Sequence, residues 1–247
     1  MPPELKRNIR RASRSARRVL RMDAEAIHPD IPDGAKVLIH VGKSGGTSLR
    51  KALQQTPLGQ EVHSVHIRRP PIRSSLSYYI VARGPISRAV SAFNWRYKLV
   101  VTDGAQRDRV PGEFDLLTRY ETLNNLAHDL YAEDGTPNGA VIDAFGRMHH
   151  IRENIAFYLD PLLDRIDPGQ IREVLMQENL NADIERVLGV RIERRDKQHG
   201  DSVDPARKAL DPRAQANLRR FLARDFACLN RLYCWGKIDQ DTYIKTL

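Results

Sequence analysis

Leu5, Ile9, Ala12, Ala16 and Val19 recur at three- and four-residue steps in a stretch otherwise crowded with arginine, so residues 4–22 predict a basic amphipathic helix. "IHPDIPDGA" follows, rich in proline and polar residues, and reads as a linker with a domain boundary near Gly34. The pattern then changes. "KVLIHV" is a continuous apolar run of strand length, suited to a strand covered on both faces. A glycine-rich turn and a helix carrying Leu49 and Leu53 come next. "EVHSVHI" alternates as a second short strand, "SYYIVA" reads as a third, and a helix begins at Pro85, a favourable early-helix residue. Residues 112–148 are helical in pattern, with Leu116, Leu117, Tyr120, Leu123 and Leu126 as the apolar stripe. "IREVLMQENL" fits strand or helix equally. "NADIERVLGV" predicts a short helix stopped by Gly189, and "DPRAQANLRRFLARDFACLNRLY" one long amphipathic helix. Strands alternating with helices place the chain in the α/β class, as an arm over residues 1–34 and one domain over 35–247.

Charge refines this division. The chain of 247 residues carries a net +9, of which residues 1–22, with eight basic residues against one acid, hold +7. The body is therefore nearly neutral, and the basic excess belongs to an arm. That argues against a nucleic-acid footprint spread over the fold. No apolar run approaches the roughly 18 residues that span a bilayer, and the basic N-terminus lacks the apolar stretch of a secretory signal. The expectation is a cytoplasmic protein. Cys228 and Cys234 have no nearby His or Cys to complete a zinc set, so neither a disulfide framework nor a structural metal is expected.

The densest chemical signal is "HVGKSGGTS", residues 40–48. A glycine pair after a buried strand lets the backbone curl around an anion, and the following helix aims its free N–H groups at the same point. It is not the ATPase pattern GxxxxGK[ST], because Lys43 precedes the glycines. The second signal is "VARGPISRAVSAFNWR". Arg83 closes a strand and Ser91 lies two helical turns later, so a second anion site can form at the same sheet edge. Taken alone, Arg83 and Arg88 also fit as surface charges.

Together, "GKSGGTSL" and "RGPISRAVSAF" resemble the PAPS-dependent carbohydrate sulfotransferases, the family of the uronyl 2-O-sulfotransferases and many bacterial carbohydrate sulfotransferases. In that family a "PKTGGTSL" loop holds the 5′-phosphosulfate and an "RDPxxRxxSxF" segment the 3′-phosphate. The resemblance runs from about residue 36 to 235, firm at the front and soft at "QENLNADIERVLGV" and "ARDFACLNRLY". Gly84 stands where Asp or Asn is usual, which would loosen the turn after Arg83, and Gly42 stands where Pro is common. The resemblance implies a single P-loop-like domain with a central, mostly parallel sheet. It also implies PAPS as sulfuryl donor and PAP as product, with Lys43, Ser44, Gly45, Gly46, Thr47 and Ser48 around the 5′ end and Arg83 and Ser91 on the 3′-phosphate.

"HSVHI" is similar to the stretch that supplies the family's general base, which makes His66 the candidate base, with His63 in reserve on the opposite strand face. An imidazole accepts a proton near neutral pH without extreme tuning. Lys43 would meet the charge developing on the leaving group, and no metal is expected, since Lys, Arg and backbone dipoles supply the positive field. Arg68 and Arg69, with Arg73 behind them, would form a positive mouth for a carbohydrate or glycolipid acceptor. His149 and His150 are a conspicuous pair that, as adjacent helical residues, would diverge by about 100°, so His149 would touch the acceptor or lie on the surface. The arm at residues 4–22 suits peripheral contact with the inner face of a membrane. Two rival classes are a P-loop-related kinase and a nucleic-acid-binding module led by the arm.

Overall fold

The computed structural model describes residues 28, 30–191 and 204–247; the basic helix expected at residues 4–22 lies outside them. The chain forms an α/β fold around a four-stranded, wholly parallel sheet in the order β2-β1-β3-β4. The strands are β1 (Lys36–His40), β2 (Val62–Val65), β3 (Ser77–Ala82) and β4 (Ile171–Met176). β1 lies between β2 and β3, with Ile39 opposite Val65 on one side and Ile80 on the other. The ambiguous segment "IREVLMQENL" thus resolves into β4 followed by a 3-10 turn at Gln177–Asn179. Its apolar residues complete the sheet beside β3, a long-range pairing that local pattern cannot reveal.

Continuous apolar strands are required because both faces are covered. On one face Val37, Ile39, Tyr78, Ile80, Val174 and Met176 pack against α7 (Ile155–Leu163) and α10 (Ala223–Cys234). On the other, Leu38, Val81 and Leu175 meet α1 (Gly46–Leu53) and α8 (Leu180–Leu188), the latter closed by left-handed Gly189. A short α2 (Pro57–Glu61) leads into β2. Residues before Gly34 already belong to the body, since Ile31 is buried in the sheet core and Asp33 pairs with Arg73 at 2.9 Å.

A second, all-helical core sits beside the sheet. It is built by α3 (Pro85–Tyr97, running on into a π turn at Lys98–Thr102), α4 (Glu113–Tyr120), α5 (Leu123–His128), α6 (Gly139–Arg147) and α9 (Pro212–Phe221). The single long helix expected over residues 211–233 is instead two, α9 and α10, broken at Leu222, whose φ of −95° and ψ of 16° leave the helical region. The break has a packing cause. Ala214, Leu218 and Leu222 belong to the helical core, whereas Cys228, Leu229 and Leu232 belong to the sheet core, and one straight helix cannot serve both. A last short helix, α11 (Gln240–Ile244), follows. No helix among the described residues is long and apolar enough to cross a membrane.

The helical core also holds a buried ion pair. Arg96 donates from Nε and Nη2 to the two carboxylate oxygens of Glu113, at 2.7 Å each, and from Nη1 to Gln106 at 2.6 Å. Both charged side chains are only 1% exposed. Removing one partner strands the other charge away from water, at a cost of about 3–5 kcal/mol. Glu113→Ala is therefore expected to lower the urea unfolding free energy by about that amount. A midpoint that does not move would show that the pair is dispensable.

Candidate active site

The strand order creates a topological switch point. The chain leaves β1 through α1, on one face of the sheet, and leaves β3 toward α3 and α7, the latter on the opposite face, so the crossovers diverge between β1 and β3. In parallel sheets, ligands bind outside the carboxyl ends of the strands at such a point. The residues at those ends are His40 and the loop Val41–Gly45 after β1, His66 after β2, Arg83 after β3, and Gln177 and Glu178 after β4.

The loop after β1 is tightly wound. Lys43 has φ 71° and Gly45 φ 81°, so two residues in three are left-handed. For Lys43 that conformation costs roughly 1–2 kcal/mol, and it persists because the surroundings fix it. Glycine is needed at 45 and 46. A Cβ at 45 would stand 2.3 Å from Gln177 Oε1, and one at 46 would stand 1.7 Å from His40 Nε2. α1 then begins after Gly45, an N-cap without a side chain, and its first turn holds Thr47 and Ser48 and no acidic residue. Ser44 is fully buried and its hydroxyl has no hydrogen-bond partner.

Three cations converge on this loop. Lys43 Nζ sits 4.5 Å from the centroid of the Trp95 ring, where burial first, and then Arg83 and Arg88, push its ammonium down to about 8. Arg83 donates from Nε to Ser87 Oγ at 3.0 Å and from Nη1 toward the Lys43 carbonyl at 3.5 Å. The two segments singled out in the sequence therefore meet. The turn after Arg83 is not loosened by Gly84, because Glu178, arriving from the end of β4, accepts from Gly84 N at 2.9 Å and from Ser87 Oγ at 3.3 Å. Arg88 is not a surface charge. It is 1% exposed and donates from both terminal nitrogens to the His150 carbonyl at 2.8 and 2.9 Å. Ser91 is half-buried one turn further along α3.

His66 lies just beyond β2 with its ring exposed. Its Nδ1 is 3.0 Å from the His40 carbonyl oxygen, and the His40 ring stacks on it at 4.4 Å between centroids. A carbonyl only accepts, so Nδ1 carries the hydrogen, and in the neutral ring the lone pair is on Nε2. The next residue, Ile67, has φ 60°, which is rare for a β-branched residue. Tyr158 holds it there by accepting from Ile67 N at 3.0 Å.

Arg69 lies against the Phe157 ring at 5.4 Å, and its carbonyl is hydrogen-bonded by His28, whose imidazole feels the charge of Arg68. The reading of His149 and His150 as divergent neighbours on a helix is corrected. α6 ends at Arg147, and His150 is left-handed with φ 68°, so the two rings meet edge to face at 4.2 Å. His149 is 6% exposed, so it is not on the surface; charges of Glu153, Arg109, Arg96 and Glu113 act on it. The ring that reaches the loop is that of His150, which no spacing in the sequence singled out. Among the described residues no three His, Cys, Asp or Glu side chains gather as a metal set would.

The lowered titration of Lys43 has a stability consequence. The unfolded chain holds that proton up to its ordinary value near 10.5, the folded protein only to about 8, so the shift favours folding progressively as pH rises through this interval. Lys43→Met is expected to stabilise the ligand-free protein at pH 7 by about 2–3 kcal/mol and to flatten the rise between pH 8 and 10.5 relative to the parent. Paired urea titrations across that range measure it, and equal curves would remove the burial argument.

Comparison with protein-family models, with curated proteins and with solved structures gave no match to this chain.

Proposed function

We propose that the protein is a PAPS-dependent O-sulfotransferase that moves a sulfuryl group to a hydroxyl of a carbohydrate acceptor, with His66 as general base. The observation that carries this reading is the meeting, at one carboxyl edge of the sheet, of a cation-lined glycine loop with an imidazole whose Nε2 is free to accept a proton. In-line sulfuryl transfer needs both groups on opposite sides of the reacting sulfur.

In this reading Lys43, Ser44, Gly45 and Gly46, with the first turn of α1, cradle the 5′-phosphosulfate, and Arg83 and Ser91 take the 3′-phosphate. His66 Nε2 accepts the proton of the acceptor hydroxyl as that oxygen bonds to sulfur. Lys43 and the N-terminal N–H groups of α1 receive the electron pair left on the bridging oxygen when the old S–O bond breaks. The strained backbone at Ile67 supports such a role, because strain of this kind persists where geometry matters to function. Arg68 and Arg69 stand on the His66 side as acceptor contacts, and residues 4–22 would bring the enzyme to a membrane bearing a glycolipid acceptor.

Calorimetry with PAP and ATP tests the donor. PAP is expected to bind without added magnesium and ATP more weakly; a preference for magnesium-ATP would favour a kinase instead. His66→Ala is expected to keep PAP affinity within about threefold while turnover falls by about two to four orders of magnitude. Unchanged turnover would move the base elsewhere.

A further inference from the structure

The loop after β1 carries one glycine that backbone conformation does not demand. Gly42 is buried and is not among the left-handed glycines. What a side chain there would meet is two imidazoles: a Cβ would stand 3.1 Å from His150 Nδ1 and 3.6 Å from His66 Cε1. Both rings therefore come within 4 Å of one point beside the loop. The His150 Nδ1 atom is buried and has no hydrogen-bond partner in the protein. An unpaired buried ring nitrogen is costly, and it is tolerated most readily where a ligand completes it.

From this geometry we infer that His150 is a second imidazole of the site, donating from Nδ1–H to an oxygen of the transferred group while His66 faces the attacking hydroxyl. The inference rests on the sulfuryl-transfer reading above. His150 is placed independently of its own side chain. Its carbonyl is clamped by Arg88, and its N–H donates to Glu153 Oε2 at 2.9 Å. Its ring stays neutral, since burial and then His149, Lys43, Arg96 and Arg88 push it down to about 2. A neutral ring among cations does not protonate the leaving group or compete with His66 for the proton. It supplies a directed N–H to negative charge, the role of an oxyanion donor. The balance of the reaction is unchanged: the acceptor oxygen bonds to sulfur, the bond from sulfur to the phosphate oxygen breaks, and the hydroxyl proton ends on His66.

The left-handed backbone at residue 150 chooses the variants, because Gly and Asn both accept that conformation. His150→Gly removes the ring without straining the chain, and His150→Asn returns an amide N–H near the position of Nδ1. PAP lacks the transferred group, so His150→Gly is expected to leave its affinity within about threefold while lowering kcat about a hundredfold, with His150→Asn recovering most of the loss. Gly42→Ala, which sets a methyl group 3.1 Å from His150 Nδ1, is expected to lower kcat similarly at unchanged PAP affinity. In ring-labelled protein, inorganic sulfate is expected to move the His150 Nδ1 resonance.

Normal turnover in His150→Gly, or a fall in PAP affinity matching the fall in kcat, would overturn the assignment. If the parent protein neither binds PAP nor turns over PAPS, the sulfuryl-transfer reading fails by itself. The sulfate titration then decides the His150 contact alone, and an unmoved resonance rejects it.

Discussion

A positive charge buried beyond the reach of water holds the candidate site together. An arginine that deep survives only if its guanidinium is met on several sides, because the cost of leaving it unpaired exceeds most single contributions to stability. Arg88 meets the His150 carbonyl with two nitrogens and points a third contact, at 3.5 Å, toward the Gly42 carbonyl. Asp225, Tyr158 and Glu153 surround it with compensating charge and polarity. Through this one side chain, α3 is tied to the loop after β1 and to the turn after α6, while its electrostatic partners lie on α7, α10 and the turn before α7. The loop after β1, α3 and the turn after α6 place Lys43, Ser91 and His150 respectively.

The same centre contributes to the electrostatics of this edge. Burial and then Arg83 and Arg88 lower the proton affinity of Lys43, and burial and then His149, Lys43, Arg96 and Arg88 keep His150 neutral. His40, pushed down to about 4 chiefly by burial and then by His66 and Arg50, stands as a neutral ring against His66. Besides Asp225 and Glu153, which face Arg88, Glu178 brings a carboxylate to this edge. That carboxylate is engaged with the Gly84 amide and Ser87, although it acts electrostatically on Arg83. An anion bound as proposed would meet donors already in position, so little reorganisation would be required of the protein.

Much of this was legible in the sequence where the signal is local. The run "KVLIHV", the glycines at 45 and 46 and the proline at 85 each act within a few residues of themselves, and β1, the loop, α1 and the start of α3 lie where they predict. What was illegible depends on partners far along the chain. Arg88 reads as a helix-surface charge until residues 62 positions away supply its acceptor. The stripe through Leu218 and Leu232 reads as one helix because periodicity does not say that two different cores will claim its halves. His150 was hidden by the assumption that a helix continues through it, whereas a left-handed turn brings its ring back over Gly42.

The environment of Gly84 bears on how such a sequence can change over time. A Cβ there would stand 3.1 Å from Glu178 Oε1 and 3.2 Å from Thr246 Cα. The amide that a local aspartate could otherwise have served is instead capped from β4, with the end of the chain packed over it. Introducing an acidic residue at 84 would bring a second carboxylate against Glu178 and a side chain against the backbone of Thr246. Positions 84, 178 and 246 are therefore coupled: a side chain at 84 requires the Glu178 carboxylate and the backbone at Thr246 to give way by a few tenths of an ångström.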